Sequence, residues 1–108
     1  MQKEVIPNEY KSFEEIKHTR EDNSEYWLAR ELQKALNYTK WENFKKILES
    51  AKTACKISEQ EVLDHFVEIN KMINLAKGAK RKVLDYKLTR YACYLIVMNG
   101  VLERKLLH

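Results

Sequence analysis

At 108 residues, 44% hydrophobic and 33% charged, the chain has room for one modest core and too many apolar residues for a disordered segment. Lys and Arg number 20 against 16 Asp and Glu, a net charge of +4 that admits a polyanionic partner without requiring one. The opening MQKEVIPNEY has no apolar signal core, and no window approaches the run of about 18 apolar residues that spans a bilayer. The expectation is a soluble, cytoplasmic, single-domain protein with no membrane partner.

Helix starts are expected where a hydroxyl stands three residues before a glutamate, because the two side chains reciprocally satisfy orphan N–H groups. Ser12 to Glu15, Thr39 to Glu42 and Ser58 to Glu61 have this spacing. The first predicts a short helix over 13–19, followed by a polar turn at 20–24 that also suits the tip of a small hairpin ending at Trp27; helix and hairpin both stay open there. Leu28, Leu32, Ala35 and Leu36 recur at helical spacing, and the segment stops at Asn37-Tyr38 before Thr39 caps the next helix. In that helix Trp41, Phe44, Ile47, Leu48, Ala51 and Cys55 form one apolar stripe, which reads as core.

Residues 59–88 carry both periods, since Val62, Leu63, Phe66, Ile69 and Ile73 suit a helix while Val67, Ile69, Ile73 and Leu75 alternate like a strand. A short helix to about Asp64, then a hairpin turning at Lys77-Gly78-Ala79 and returning over 80–88, fits best. The last helix is predicted from a Thr89 cap to Met98, with Asn99-Gly100 ending it. The fold class is therefore α+β and mainly helical: a small multi-helix domain with a helix-turn-helix-like pair and a β-hairpin.

Chemistry-bearing constellations are few. Cys55 and Cys93 sit among apolar neighbours and read as buried, reduced thiols. Asp64-His65 is the sole acid–histidine neighbour pair, and neighbours in sequence seldom give the oriented geometry of a base and its orienter. His18 and His108 have no ligand spacing with the cysteines, and two glycines cannot build a phosphate-cradling loop. No catalysis, metal or cofactor is expected.

Two features point to nucleic acid. Around Asn37-Tyr38-Thr39 the apolar residues and the turn fall where a helix-turn-helix places them, which would aim Lys40, Asn43 and Lys46 at a groove or at phosphates; an ordinary αα corner gives the same pattern. Between Lys71 and Arg90 the cations Lys71, Lys77, Lys80, Arg81, Lys82, Lys87 and Arg90 face a single acid, Asp85. On a hairpin Lys80, Lys82 and Lys87 would project across one surface as a phosphate footprint, with Arg81 and Arg90 beside it and Tyr86 free to stack on a base. The apolar helix from Tyr91 to Met98 then serves as the anchor that holds this surface in place.

The motifs Phe13-Glu-Glu-Ile-Lys17, Glu25-Tyr-Trp-Leu-Ala-Arg30, Leu36-Asn-Tyr38, Trp41-Glu-Asn-Phe44, Asp64-His-Phe66, Gly78-Ala-Lys-Arg81 and Arg90-Tyr-Ala-Cys-Tyr-Leu95 follow one another across residues 12–100. In this order they resemble the N-terminal part of the DNA-damage-inducible protein D family, which is related to the Bro-N domain of phage and viral antirepressor-like proteins. The resemblance implies a bacterial regulator of the SOS DNA-damage response that binds single- or double-stranded DNA, and contact with the recombinase that filaments on single strands. The chain departs from the family pattern at Leu28, where a small polar residue is usual, and over 101–108. Val101, Leu102, Leu106 and Leu107 of that tail are expected to self-associate. A protein-interaction module without direct nucleic-acid contact is the rival reading.

Overall fold

The computed structural model describes residues 8–106, and side chains from Ser12 to Leu102. The elements run α1 (Asn8–Glu15), β1 (His18–Thr19), β2 (Glu25–Leu28), α2 (Ala29–Ala35), α3 (Trp41–Ile57), α4 (Val62–His65), β3 (Phe66–Asn74), β4 (Lys80–Leu88) and α5 (Arg90–Leu106). The α+β class holds, but a multi-helix domain carrying one hairpin is corrected: a four-stranded antiparallel sheet, ordered β1-β2-β4-β3, organises the described residues. The 20–24 segment is the hairpin alternative. Arg20 N–H donates to the Ser24 carbonyl at 2.8 Å, and Asn23 takes the left-handed φ of 71° that closes the turn. This hairpin joins the larger one through only two pairs, Trp27 with Leu88 and Leu28 with Lys87, too short a stretch to show as periodicity.

None of the three predicted capping boxes begins a helix. Ser12 lies inside α1, Lys40 rather than Thr39 precedes α3 with no side-chain cap, and Ser58 ends α3 instead of starting α4. The competing signal at Ser58 is a Schellman closure: Gln60 N–H reaches the Cys55 carbonyl at 3.1 Å and Glu59 N–H the Lys56 carbonyl at 3.0 Å, with Glu59 left-handed at φ 63°. Asn37, at φ 65°, ends α2 in the same way. Thr89 does cap α5, its Oγ1 accepting the Ala92 N–H at 3.1 Å.

Helix α5 does not stop at Asn99-Gly100 but runs on to Leu106. Asn99 donates its side-chain N–H back to the Leu95 carbonyl at 2.7 Å, and Gly100 serves packing: a Cβ there would lie 3.0 Å from Tyr38 Oη. The core lies between one sheet face and the pair α3 and α5. Trp27, Leu32, Phe44, Leu48, Phe66, Leu88 and Ile96 are its large, fully buried apolar side chains, and Cys55 and Cys93 are buried free thiols within it. Burial raises the pKa of both thiols, so neither is poised as a thiolate nucleophile. Leu106 and Leu107 of the tail lie outside the described side chains. Among the described residues no helix is long and apolar enough to cross a membrane.

Glutamate at the left-handed closure of α3 is strained, where glycine would not be. Glu59→Gly is expected to raise stability by about 0.5–1 kcal/mol, a few degrees in Tm, read by thermal circular dichroism.

Candidate nucleic-acid interface

The ribbon of β3 and β4 carries the basic run, and its pleat decides which cations share a surface. The register pairs Asn74 with Lys80, Ile73 with Arg81, Met72 with Lys82, Lys71 with Val83, Ile69 with Asp85 and Val67 with Lys87. Paired residues share a face and successive residues alternate, so Lys80 and Lys82 stand with Met72 and Asn74 on one face. Arg81, Lys71 and Lys87 stand on the other. Projection of Lys87 beside Lys80 and Lys82 is thereby corrected. Lys87 also lies six residues, about 20 Å, from Arg81, and its Nζ sits 4.9 Å from the centre of the Tyr26 ring, held by that π-face.

The far end of the ribbon is different in character. Because β2 pairs only with the last two residues of β4, both strands continue past the sheet as a two-stranded arm, and every residue from 74 to 82 is exposed. Lys80, Arg81 and Lys82 all lie there, and Lys77 occupies the turn with a left-handed φ of 63° beside Gly78 at 77°.

Asp85, the lone acid of the run, is fully buried and structural. Its Oδ1 accepts the Arg30 N–H at 3.0 Å and the Tyr86 N–H at 2.8 Å. Leu28 precedes α2 and has no capping side chain, so a carboxylate from β4 caps that helix from across the fold. Asp85 Oδ2 makes no hydrogen bond among the described residues and faces Lys71 Nζ at 3.9 Å, which draws Lys71 inward. Arg30 completes the joint, donating from Nε to the Leu84 carbonyl at 2.7 Å with its guanidinium 4.1 Å over the Trp41 ring.

Arg90 is equally committed. Its Nε and a terminal nitrogen grip both oxygens of Glu25 at 2.6 and 2.9 Å, and the other terminal nitrogen meets Glu14 at 3.3 Å. The Glu25 hydrogen bonds push the Arg90 pKa further up, and the same bonds hold the Glu25 carboxyl below the usual carboxylate range. With its fork occupied, Arg90 joins α5, β2 and α1 and does not face phosphate. Tyr86 is also withdrawn from stacking: it is 2% exposed, burial raises its pKa, and Lys52 lies over its ring at 5.2 Å.

Lys40, immediately before α3, and Asn43 and Lys46 on its first turns are exposed. Helix α2 has seven residues and binds β4 through Arg30, while α3 packs along α5. Asp64 is exposed, and His65 Nδ1 shares a hydrogen bond with Thr89 Oγ1 at 2.6 Å, the hydroxyl that also accepts the Ala92 N–H. This histidine braces the β3–α5 junction. Among the described residues no group of three His, Cys, Asp or Glu is placed to hold a metal.

The N-terminal domain pattern of the BRO family matches residues 15–105. The chain belongs to the BRO family as its N-terminal domain. This BRO domain is also 44% identical over 91 residues to the DNA damage-inducible protein D of Escherichia coli strain K12, which covers 84% of this chain and 33% of the relative. The chain thus spans about a third of the length of that curated relative. No solved structure matches it.

Sequence reasoning missed Asp85 as a structural residue, and Glu25 and Glu14 as the partners of Arg90. It also missed the exposed apolar side chains Met72 and Leu75 on the arm. The carboxylate roles had no local signal, because the partners are 55 to 76 residues apart. Alternation of Val67, Ile69, Ile73 and Leu75 was visible, but not Met72 on the opposite face nor that the arm outruns the sheet.

A depressed carboxyl pKa gives stability that is present above the unfolded-state value and lost as pH falls through the folded one. Acid should therefore weaken the BRO domain through Glu25 below the ordinary carboxylate value of 4.5. Glu25→Gln is expected to flatten that part of the stability–pH curve while lowering stability at neutral pH. A wild-type-like acid limb in urea titrations of Glu25→Gln would assign the acid sensitivity elsewhere.

Proposed function

We propose that this BRO domain is a non-catalytic DNA-binding module of a regulator in the response to DNA damage. The arm is the observation that carries the reading: residues 71–82 hold Lys71, Lys77, Lys80, Arg81 and Lys82 with no acid, on a ribbon whose end is exposed on both faces. A two-stranded ribbon is a shape that DNA grooves admit, and each lysine on a phosphate releases counterions. Lys77, Lys80, Arg81 and Lys82 are the proposed contacts, with Lys40, Asn43 and Lys46 as a separate second surface and Lys87 at the base of the ribbon. The damage-response part of the reading comes from the name of the similar Escherichia coli protein.

Fluorescence anisotropy with labelled single- and double-stranded oligonucleotides tests this. Affinity should fall steeply with salt, and the log–log salt slope should shrink by about one for each of Lys80, Arg81 and Lys82 changed to Ala. No binding of either strand form at low salt overturns the reading.

A second reading, contact with protein, rests on α5. Tyr94, Val97, Met98, Val101 and Leu102 are 36–59% exposed at i, i+3, i+4, i+7 and i+8, an apolar stripe on the side away from the core. We propose that a second copy of the chain covers it, helix against helix; a recombinase filament is the other candidate partner. Sedimentation equilibrium should show wild-type dimers that Met98→Glu converts to monomers, and a wild type that stays monomeric at high concentration removes self-association.

A further inference from the structure

We propose that the arm bends duplex DNA, with Leu75 at its tip inserted as an apolar wedge from the minor groove and Met72 packed against the groove wall. This rests on the DNA-binding reading above and adds to it the form of the ligand and the mode of contact. Leu75 and Met72 are 45% and 57% exposed, at the end of the molecule where the ribbon has left the core. Among the described residues neither has a partner element to cover it there: residues 74 to 82 are all exposed, and the strands at this point contact chiefly each other.

The register decides what kind of surface could accept them. Leu75 N–H donates to the Ala79 carbonyl at 2.7 Å, so the pairing continues one step beyond β3 and sets Leu75 on the face of Ile73 and Arg81. Met72 stands on the opposite face, directly across from Lys82. Apolar side chains stand on both faces of the arm, Ile73 and Leu75 on one and Met72 on the other, whereas lying flat on a membrane needs a single apolar side. A purely apolar protein pocket would strip water from Lys77, Lys80, Arg81 and Lys82 with nothing to replace it. A groove satisfies both demands at once, because it meets a ribbon from two sides, lines its rims with phosphate and offers base and sugar surface at its floor. Minor-groove proteins unstack base steps with Leu, Ile and Met side chains flanked by cations, and this tip presents that combination.

The tip is also built in advance. Leu75 is extended at φ −106° and ψ 176°, and the left-handed pair Lys77 and Gly78 closes the turn behind it, with Ala79 N–H returning to the Ala76 carbonyl at 3.4 Å. The wedge is therefore presented on a backbone already hydrogen-bonded, which lowers the ordering cost of insertion.

A short duplex carrying a fluorescence donor and acceptor at its two ends, titrated with the full chain while anisotropy is followed in parallel, separates bending from binding. Wild type is expected to raise energy transfer as it binds. Leu75→Ala should abolish most of that rise while changing affinity less than about tenfold, since the phosphate contacts stay. Lys80, Arg81 and Lys82 to Ala should weaken binding and its salt dependence together. Circular dichroism checks that each variant keeps the wild-type fold. Binding without any rise in transfer, a Leu75→Ala protein that bends as wild type does, or binding confined to single strands overturns the wedge and leaves DNA binding standing. Absence of binding, or binding to anionic vesicles in place of duplex, overturns both.

Discussion

A carboxylate shut away from water sets the geometry of this domain. Asp85 lies in the middle of the most basic strand, yet its side chain is fully buried and its Oδ1 holds two backbone N–H groups, one at the start of α2 and one in β4. Charge-assisted bonds of this kind contribute about 1.5–3 kcal/mol each, and more is lost when one partner is removed and a charge is left buried alone. A one-residue slip of β4 would turn Asp85 toward the opposite face and carry Lys80, Lys82 and Tyr86 with it. The strand register, the start of α2 and the division of the cations between two faces are thus one decision.

The seven cations between Lys71 and Arg90 consequently do different work. Arg90 is clamped by Glu25 and Glu14 and sits over the Trp27 ring at 5.1 Å, so it fastens the β1–β2 hairpin and α1 to the start of α5. Lys71 leans toward Asp85, and Lys87 is held by Tyr26. Lys77, Lys80, Arg81 and Lys82 remain in solvent at the end of the arm. The dense basic run is a structural strand at one end and an open surface at the other. The physical link between them is the ladder, which transmits the fixed register outward from Leu88 to Lys80.

The core explains why the arm can be left exposed. Helices α3 and α5 cover one face of the sheet near Trp27, Phe66 and Leu88, and this end carries the large, fully buried side chains. A two-stranded ribbon without such cover is marginal in water, so the arm depends on the packed end for its order. Helix α5 has the reverse problem: its inner side fills the core with Ala92, Cys93 and Ile96 while Tyr94, Met98 and Leu102 stay in solvent. Arm and stripe both carry apolar side chains outside the core, as do Ile57 at the end of α3 and Leu63 in α4.

Much of this was legible in local pattern. The stripe from Trp41 to Cys55, the Thr89 cap and the apolar helix behind the basic run follow from local pattern between residues a few positions apart, while 59–88 carried the helical and the strand period together. The capping boxes misled because the same short motif serves competing ends. Ser58 closes α3, where Glu59 turns left-handed, before Glu61 can recruit it to α4. Asn99-Gly100 misled for a related reason, since a glycine that admits Tyr38 looks in sequence like one that ends a helix. What the residues alone determined was therefore the presence of α3 and α5, a hairpin as the better of two readings of 59–88, and the concentration of cations before α5. Which of those cations stay free was decided only in three dimensions, because a carboxylate partner 55 to 76 residues away or a neighbouring strand's register leaves no trace in local order.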